Sequence, residues 1–584
     1  MVVGGTGALA DRLGLPRVFD VAAVLAAGSA PPRRVIVDAT AAAGAGDLLS
    51  RTHGGAHRDL ALLQGWLADE RASDCELVWV TQGAIAAASD DAIPALDRAP
   101  LWGLVRSARR EFPRRGLRLL DVEATTTAAR IAAALAARAP ELAIRGAELL
   151  APRLVPAVSA APAPAPGWRA EGTTLVTGAT GALGALVARH LVASCGARRL
   201  LLVSRHGAEA PGADALRDEL AALGVDVTLA ACDASSRPAL AALLADLTAD
   251  APLRAVFHCA GVVDDGAISA LTPARVDRVF GPKLAAAVHL HELTRAMPLE
   301  RFVLFSSVSG VIGTAGQGNY AAANAFLDAL AAHRVRAGLP GQSLAWGPWE
   351  PSGRGMTAGL TAVDLARLHR HGIAPLSAEQ GLALLDDALA RRAPLLVPAR
   401  LDLARLDAPA PRHAAAATPA ASTAAGARLA ALAHADRQAA VLELVRSEVA
   451  AVFRLPDRGV PDDQPLQTLG LDSLMAIELR DRLATRLDTR LSATLAFDHP
   501  TPADMARFLA AALFASAGDE PTPRTTAHHA PGDRDIPMPG RAIDRRQPSG
   551  GGGDPDGCAG GAGVLPREIE ELSNDELVSL VRSL

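Results

Sequence analysis

The stretch TTLVTGATGALGALVARHLV, residues 173–192, decides the fold. Its first part, TTLVTG, is the kind of short apolar run that predicts a strand, and ALGALVARHLV predicts a helix. Gly178, Gly181 and Gly184 lie between the two in a G-x-x-G-x-x-G pattern. Such glycines permit a tight turn and let a pyrophosphate approach the amino end of the helix. The stretch therefore predicts a dinucleotide-binding α/β fold, with a tight packing turn as the alternative.

Three later apolar runs continue the pattern and end at candidate cofactor contacts. RRLLLVSRHG ends with Ser204 and Arg205, VTLAACDAS reaches Asp233, and AVFHCAGV carries Ala260 and Gly261. An NAD-selective fold places an acid after the second strand, whereas an arginine there suits the 2′-phosphate of NADPH. The alternative is a solvated surface arginine. Asp233 is expected at the adenine edge, and the Ala-Gly pair where the cofactor passes.

The chain contains one tyrosine, Tyr320, and one lysine, Lys283, although it has 58 basic residues. The stretch FVLFSSVSGVIGTAGQGNYAAANAFLDALAAH (302–333) predicts a strand ending at Ser307 and a helix that begins near Tyr320 and carries Asn324 one turn later. A phenol can donate a proton where phenylalanine cannot, and a nearby ammonium lowers its pKa. We interpret the pair as residues whose chemistry arginine and phenylalanine cannot replace. The alternative is chance survival in an arginine-rich composition.

Residues 168–405 resemble the ketoreductase domain of modular type I polyketide synthases, within the short-chain dehydrogenase/reductase superfamily. Free-standing members usually read Tyr-x-x-x-Lys; here Asn324 takes the fourth position and Lys283 lies upstream, as in synthase ketoreductases. LAWGPWEPSGRGMT (344–357) resembles the substrate lid. The resemblance implies that Tyr320 protonates the ketone oxygen, Ser307 hydrogen-bonds it, Lys283 holds the nicotinamide ribose, Asn324 supports the proton relay, and NADPH supplies hydride.

The stretch VVDDGAISALT (262–272) resembles the LDD fingerprint of B-type ketoreductases, with Val263 in place of Leu and Asp265 as the diagnostic acid. A-type relatives carry a Trp where Ile312 stands, and B-type relatives often carry a Pro where Ala315 stands. The resemblance implies a D-configured β-hydroxyl product, and Ala322 implies no α-epimerisation.

Low-complexity stretches near 156–167, 407–427 and 516–565 separate the remaining pieces. Residues 1–155 contain the strand-like runs RVIVD, ELVWVT and LRLLDVE and resemble the structural subdomain of the same family, which usually begins earlier, so a truncated amino terminus is expected. GGTGALA at 4–10 resembles a nucleotide loop, but only three residues precede it, and a dinucleotide loop needs a strand there. Cofactor binding is therefore not expected there.

The carboxyl-terminal pieces predict a carrier and a tail. After a 406–429 linker, GLDSLMAIEL (470–479) in a 430–515 domain resembles the phosphopantetheine attachment motif of acyl carrier proteins, with Ser473 as the attachment site; the alternative is a helix N-cap. Beyond a 516–565 linker, residues 566–584 have a capping box and an apolar stripe. They are expected to form a helix that docks on the next synthase subunit or packs back on the chain.

The composition argues against several classes of protein. A net charge of −5 and a pI near 6.3 give no reason to expect nucleic acid or an anionic membrane surface. Five scattered cysteines without a CxxC pair predict neither a disulfide framework nor a metal site. With no secretory signal pattern and no long apolar run, a cytoplasmic protein without a membrane span is expected.

The combined expectation is an α/β protein: a Rossmann-like structural subdomain, a Rossmann-fold short-chain dehydrogenase/reductase domain and a small all-α carrier bundle. It would reduce a β-ketoacyl thioester with NADPH on a 4′-phosphopantetheine arm. The alternatives are a carrier scaffold with an inert reductase and a free-standing reductase of diffusible ketones. The absence of ketosynthase and acyltransferase motifs predicts those activities as upstream partners, beside a phosphopantetheinyl transferase and a downstream subunit; a homodimer is left open.

Overall fold

The computed structural model describes most of the chain with gaps. The described residues are 1–5, 7–20, 23–24, 32–41, 44–88, 91–157, 172–247, 250–351, 355–356, 358, 365, 368–369, 372–391, 393–407, 433–453, 460–469, 471, 473–487, 489, 491 and 495–514. The tail predicted at 566–584 lies outside them. No helix among these residues has the length and apolarity needed to cross a bilayer.

The amino-terminal unit is built on a seven-stranded sheet, and its helices and strands confirm the predicted α/β class. Its strands run in the order β2-β1-β3-β4-β5-β6-β7, and all neighbours are parallel except β6 and β7. The strands are β1 (Val2–Val3), β2 (Arg17–Val18), β3 (Arg34–Ala39), β4 (Glu76–Gln82), β5 (Gly116–Val122), β6 (Glu141–Arg145) and β7 (Glu148–Leu150). The helices are α1 (Ala8–Leu13), α2 (Leu48–Ala68), α3 (Ala99–Glu111) and α4 (Ala128–Ala136).

The expectation that no strand precedes the first glycine loop is wrong. Val2 and Val3 form a two-residue strand because β2 and β3 pair with it on both sides. The loop is nevertheless filled by the chain itself. A Cβ added at Gly5 would collide with the carboxylate of Asp38, and the Arg17 guanidinium donates to the carbonyl oxygens of Gly4 and Gly5. A buried carboxylate where a phosphate would bind disfavours an anionic ligand.

The second unit is a doubly wound parallel sheet of the Rossmann type, which confirms the predicted fold class. Its main sheet has the order β10-β9-β8-β11-β12-β13-β15 and is parallel throughout. The strands are β8 (Thr173–Thr177), β9 (Arg199–Ser204), β10 (Asp226–Ala231), β11 (Leu253–His258), β12 (Arg301–Ser307), β13 (Gln342–Trp346), β14 (Ile373–Ala374), β15 (Leu395–Leu396) and β16 (Arg400–Leu401).

Helices cover both faces of this second sheet. They are α5 (Ala182–Ala193), α6 (Ala213–Ala222), α7 (Arg237–Ala245), α8 (Pro273–Phe280), α9 (Ala286–Thr294), α10 (Val308–Ile312), α11 (Gly318–Arg336), α12 (Ala378–Leu389) and α13 (Leu403–Asp407). The strand order reverses between β8 and β11. Ligands of such sheets bind at this point, outside the carboxyl ends of the strands.

The two units share one core, because α3 of the first packs directly on α11 of the second. The helices touch at backbone level: a Cβ added at Gly103 would collide with the carbonyl of Ala321. Arg106 donates to the carbonyl oxygen of Gly310 at 2.7 Å, and Arg110 donates to that of Ile312 at 3.1 Å. The first unit thus holds the helix that carries Tyr320.

Gly103→Ala should therefore lower both stability and reductase activity. The added methyl group has no room and would force α11 away from α3, and overpacking of this kind costs about 1–3 kcal/mol. Thermal unfolding and turnover measure the two effects. Gly65→Ala is the matched control, since nothing lies within 4 Å of its Cβ position in α2 and alanine favours a helix. Equal stability of the two variants would contradict the packing argument.

The carrier region is a helical bundle, as predicted. Its helices are α14 (His434–Phe453), α15 (Ser473–Leu487), α16 (Leu495–Asp498) and α17 (Pro502–Phe514). Apolar side chains of α14, α15 and α17 form its own core. Glu448 is buried there and pairs with Arg482 and Arg486 at 2.7 and 2.9 Å. Helix α15 begins at Ser473, where the attachment motif was recognised.

Candidate active site

A cavity of about 1890 Å³ opens at the carboxyl edge of the second sheet. Most of the residues singled out from the sequence line it: Gly178, Gly181, Gly184, Ser204, Arg205, Asp233, Ala260, Gly261, Asp265, Lys283, Ser307 and Tyr320. Asn324 does not line the cavity. The candidate site is thus one continuous space that runs from the glycine loop to the tyrosine.

The glycine loop follows β8 and leads into α5. Gly178 has a φ of 67°, in the left-handed region, and a Cβ there would lie 2.8 Å from the Cα of Ala260. A Cβ at Gly184 would collide with the carbonyl oxygen of Gly178. Gly181 is the N-cap of α5 and provides no side-chain cap. The first backbone N–H groups of α5 are therefore left to a ligand, which fits the pyrophosphate of a dinucleotide.

The end of β9 fits the ribose side of such a cofactor. Ser204 ends the strand, and its Oγ is buried without a hydrogen-bond partner within the described part of the chain. Arg205 follows it and is exposed. Asp233 lies beyond the neighbouring strand and accepts hydrogen bonds from the backbone N–H and the hydroxyl of Ser235, at 2.9 and 2.7 Å. A free hydroxyl and an exposed guanidinium can bind a phosphorylated ribose.

Lys283 and Tyr320 meet at the other end of the cavity. The Lys283 ammonium is buried, donates to the carbonyl oxygen of Phe305 at 3.0 Å and lies 4.9 Å from the centre of the Tyr320 ring. The Tyr320 hydroxyl contacts the sulfur of Met356 at 3.7 Å. Gly261 leaves room for the lysine, because a Cβ there would lie 3.3 Å from Nζ. The buried ammonium thus lies directly beside the only phenol among the described residues.

A hydrogen-bonded chain that the sequence did not suggest fixes the lysine backbone. Lys283 lies in a π turn, Gly281–Ala285, between α8 and α9. Its carbonyl oxygen is 2.8 Å from Nε2 of His258, whose Nδ1 is 2.7 Å from the hydroxyl of Thr177. Because a carbonyl only accepts, Nε2 carries the proton and Nδ1 accepts from the threonine. Burial lowers the pKa of His258 to about 4, so the ring is neutral near pH 7.

Ser307 and Asn324 occupy different positions relative to the tyrosine. Ser307 ends β12 in the cavity wall, and its Oγ accepts a hydrogen bond from the N–H of Ser309 at 3.2 Å. Asn324 lies one turn after Tyr320 on α11 and is fully buried, and its amide donates to the carbonyl oxygen of Tyr320 at 2.8 Å. The asparagine thus contacts the backbone of the tyrosine and not its hydroxyl.

Glu111, at the end of α3, joins two loops of the site and was not predicted. Its carboxylate accepts hydrogen bonds from the N–H groups of Ile268 and Gly316, at 2.8 and 2.9 Å. Those loops carry Asp265 and Gln317, whose side chains are joined at 3.0 Å. Burial raises the pKa of Glu111 to about 7 although both backbone donors act to lower it.

Glu111→Gln should lower the free energy of unfolding by about 1–3 kcal/mol, the cost of leaving a buried N–H unpaired. An amide has one accepting oxygen, so its NH₂ would face the second backbone donor. The wild-type carboxyl binds its proton more tightly when folded than when unfolded. Its stabilising contribution is therefore complete below pH 4.5, the ordinary value, and is lost as the pH rises through about 7.

Chemical denaturation of both proteins between pH 4 and 8 measures this effect. The pH dependence that Glu111 contributes to the free energy of unfolding should be absent from the variant. Glu123→Gln is the control, because that partly exposed carboxylate accepts a single N–H, from Gly146, at 2.7 Å. A Glu111→Gln protein as stable as the control would show that the two loops are held by other contacts.

Two groups of side chains in the described residues could hold a metal ion, and neither lies in the cavity. They are His53 with His57 and Asp277, and His190 with Cys195 and Asp386. In the first group both imidazoles hydrogen-bond one carboxylate oxygen, at 2.6 and 2.8 Å, across the contact of the two units. The prediction of a site without metal stays a prediction.

Three family models match the chain. The KR domain matches residues 172–351, the Rossmann fold domain of the polyketide synthase extender module SpnB matches residues 3–154, and the phosphopantetheine attachment site matches residues 443–509. These three ranges correspond to the two α/β units and the helical bundle.

Among curated proteins, a spectinabilin polyketide synthase system protein of Streptomyces orinoci is 48% identical over 502 residues, which is 82% of this chain and 13% of that protein. The mycoketide-CoA synthase of Mycobacterium tuberculosis is 46% identical over 366 residues, 59% of this chain and 9% of that protein. The chain therefore spans a small part of the length of these two relatives.

Solved structures that are similar to the chain are also ketoreductases of modular polyketide synthases. A-type ketoreductases from a modular polyketide synthase match with a TM-score of 0.57 and 40% identity over 64% of this chain and 78% of that chain. A C2-type ketoreductase matches with a TM-score of 0.61 and 32% identity over 69% and 92%. The chain belongs to the modular type I polyketide synthases, as a part that comprises a ketoreductase domain and an acyl carrier domain of the phosphopantetheine attachment family.

Proposed function

We propose that the chain reduces a β-ketoacyl thioester to the β-hydroxyacyl thioester while the acyl group is held on a 4′-phosphopantetheine arm at Ser473. The observation that carries the proposal is the Lys283 ammonium, which lies 4.9 Å from the Tyr320 ring in a cavity that also contains an uncapped helix amino end. The first feature suits proton donation and the second suits a dinucleotide phosphate.

In this proposal the chain provides binding, orientation and the proton. NADPH, when bound, supplies the hydride that adds to the ketone carbon. Tyr320 donates its hydroxyl proton to the ketone oxygen, and the Ser307 hydroxyl donates a hydrogen bond to the same oxygen. Lys283 stabilises the tyrosinate that remains. Asn324 acts from behind, by holding the backbone of the tyrosine, and supports the return of the proton to its hydroxyl.

The phosphate selectivity is proposed to come from Arg205. Arg205→Ala should weaken the apparent affinity for NADPH about tenfold or more and leave that for NADH nearly unchanged, since charge-assisted hydrogen bonds contribute about 1.5–3 kcal/mol. Initial-rate titrations with both cofactors measure the ratio. Arg198→Ala, at an exposed position before the same strand, is the control. Equal weakening of both cofactors would refute this assignment.

The product is proposed to be the D-configured alcohol of a B-type enzyme. Asp265 lines the cavity, and burial raises its pKa. Gln317 donates to it at 3.0 Å, which ties the VVDD loop to the loop before Tyr320. The similar structures include ketoreductases described as A-type and as C2-type. The overall fold is therefore common to several types, and local residues decide the stereochemistry.

The test combines turnover with chiral analysis. The intact chain is supplied with NADPH and a β-ketoacyl N-acetylcysteamine thioester, and cofactor oxidation and product configuration are followed. Oxidation with mainly D alcohol is expected. Mainly L alcohol would refute the B-type assignment alone, and no oxidation would favour a carrier scaffold with an inert reductase.

The proposed partners follow from this reaction. A phosphopantetheinyl transferase would load Ser473, an upstream ketosynthase and acyltransferase would deliver the β-ketoacyl chain, and a downstream synthase subunit would accept the product. The segment 566–584 is proposed as the docking element for that subunit. Whether the assembly is a homodimer is decided by its mass in solution.

A further inference from the structure

Four carrier residues border the cavity that contains Tyr320. They are Leu471, just before α15, and Glu478, Asp481 and Arg482 on that helix. On the reductase side the same rim is formed by Arg106, Arg109, Arg110 and Pro113, at and beyond the end of α3. Residues of the carrier helix and of the α3 end therefore line one continuous cavity.

Arg480, on the same carrier helix, contacts the structural unit directly. The Arg480 guanidinium lies over the ring of Phe112, 5.6 Å from its centre, and Arg480 and Phe112 are 8% and 7% exposed. Asp481 pairs with the guanidinium at 2.7 Å and compensates its charge. The positive charge also acts to lower the pKa of Glu111, the neighbour of Phe112 in sequence. A cation held on an aromatic face is stabilising even when partly desolvated.

From this geometry we infer that the structural unit, through the α3 end and Phe112, is the docking surface for the chain's own carrier domain. Arg480 on α15 is the anchor, and the docked carrier presents its attachment helix to the mouth of the cavity. The inference rests on the proposed function and assigns a role in substrate delivery to a unit that contributes no catalytic residue.

The contact should matter only for a tethered substrate. Ser473 would be loaded enzymatically with a β-ketoacyl-phosphopantetheine arm, and single-turnover NADPH oxidation followed by stopped flow. Arg480→Glu should slow this reaction about tenfold, because it replaces the cation on Phe112 by an anion close to Glu111. The variant should reduce the N-acetylcysteamine thioester at the wild-type rate, since this substrate needs no docking.

Arg507→Glu is the matched control: it makes the same charge change on α17, where Arg507 is 66% exposed and pairs with Asp504. The inference is overturned if Arg480→Glu and Arg507→Glu slow the tethered reaction equally, or if Arg480→Glu slows the diffusible substrate as much as the tethered one. Loss of diffusible turnover in every protein, wild type included, would instead refute the proposed function.

Phe112→Leu provides a second, independent variant that keeps an apolar side chain in the core. It should slow the tethered reaction several-fold, and combining it with Arg480→Ala should add little to either single change, because both remove one contact. Fully additive effects of the two changes would also overturn the inference.

Discussion

Tyr320→Phe should lower ketone reduction by at least about 10²-fold, the contribution expected of a positioned general acid. The ring is buried against Lys283, so phenylalanine can keep the packing and the cation contact while removing the proton. Cofactor binding should be nearly unchanged, since the glycine loop and the end of β9 lie at the other end of the cavity.

Single-turnover rates with the diffusible thioester and fluorescence titration of NADPH measure the two parts of this prediction. Lys283→Arg is an informative companion. Its guanidinium keeps the charge but cannot reproduce the 3.0 Å contact of a compact ammonium with Phe305 in the space beside Gly261. A Tyr320→Phe protein that retains more than about a tenth of the wild-type rate would mean that another group donates the proton.

Ser473→Ala should abolish both phosphopantetheine loading and reduction of a carrier-bound substrate, because no other hydroxyl begins the attachment motif. The reductase itself should be unaffected, so the diffusible thioester should still be reduced at the wild-type rate. Intact-mass analysis after incubation with coenzyme A and a phosphopantetheinyl transferase measures the loading directly.

Ser447→Ala is the control for this second prediction, since Ser447 is an exposed serine on α14 of the same carrier bundle. That variant should gain one arm, like the wild type. A mass increase that persists in Ser473→Ala would place the attachment elsewhere in the chain.

The parts of the fold and of the site that could be predicted are those that a short stretch of neighbouring residues specifies. The strand–glycine–helix stretch at 173–192 needs only neighbouring residues to specify its turn, and the single Lys283 and Tyr320 stood out because the composition otherwise avoids both types. The start of α15 at Ser473 follows from a short motif in the same way. Short apolar runs also predicted three strands of the amino-terminal unit, β3, β4 and β5.

Contacts between distant parts of the chain could not be predicted. Glu111 meets Ile268 across 157 positions, and His258 meets Lys283 only because a π turn brings the lysine carbonyl to the ring. The strand Val2–Val3 was missed for the same reason, since partners on both sides form it in spite of its two-residue length. No periodicity or motif in a single sequence reports such pairs.

The backbone contact of Gly103 with Ala321 has a consequence for attempts to exchange reductases between assembly lines. A recombination junction in the alanine-proline segment before residue 172 would divide two surfaces that fit each other without an intervening side chain, and a foreign α3 with any larger residue at position 103 would displace the helix that carries Tyr320. The transferable cassette is therefore the pair of α/β units, exchanged together, with the carboxyl-terminal junction in the segment between α13 and α14.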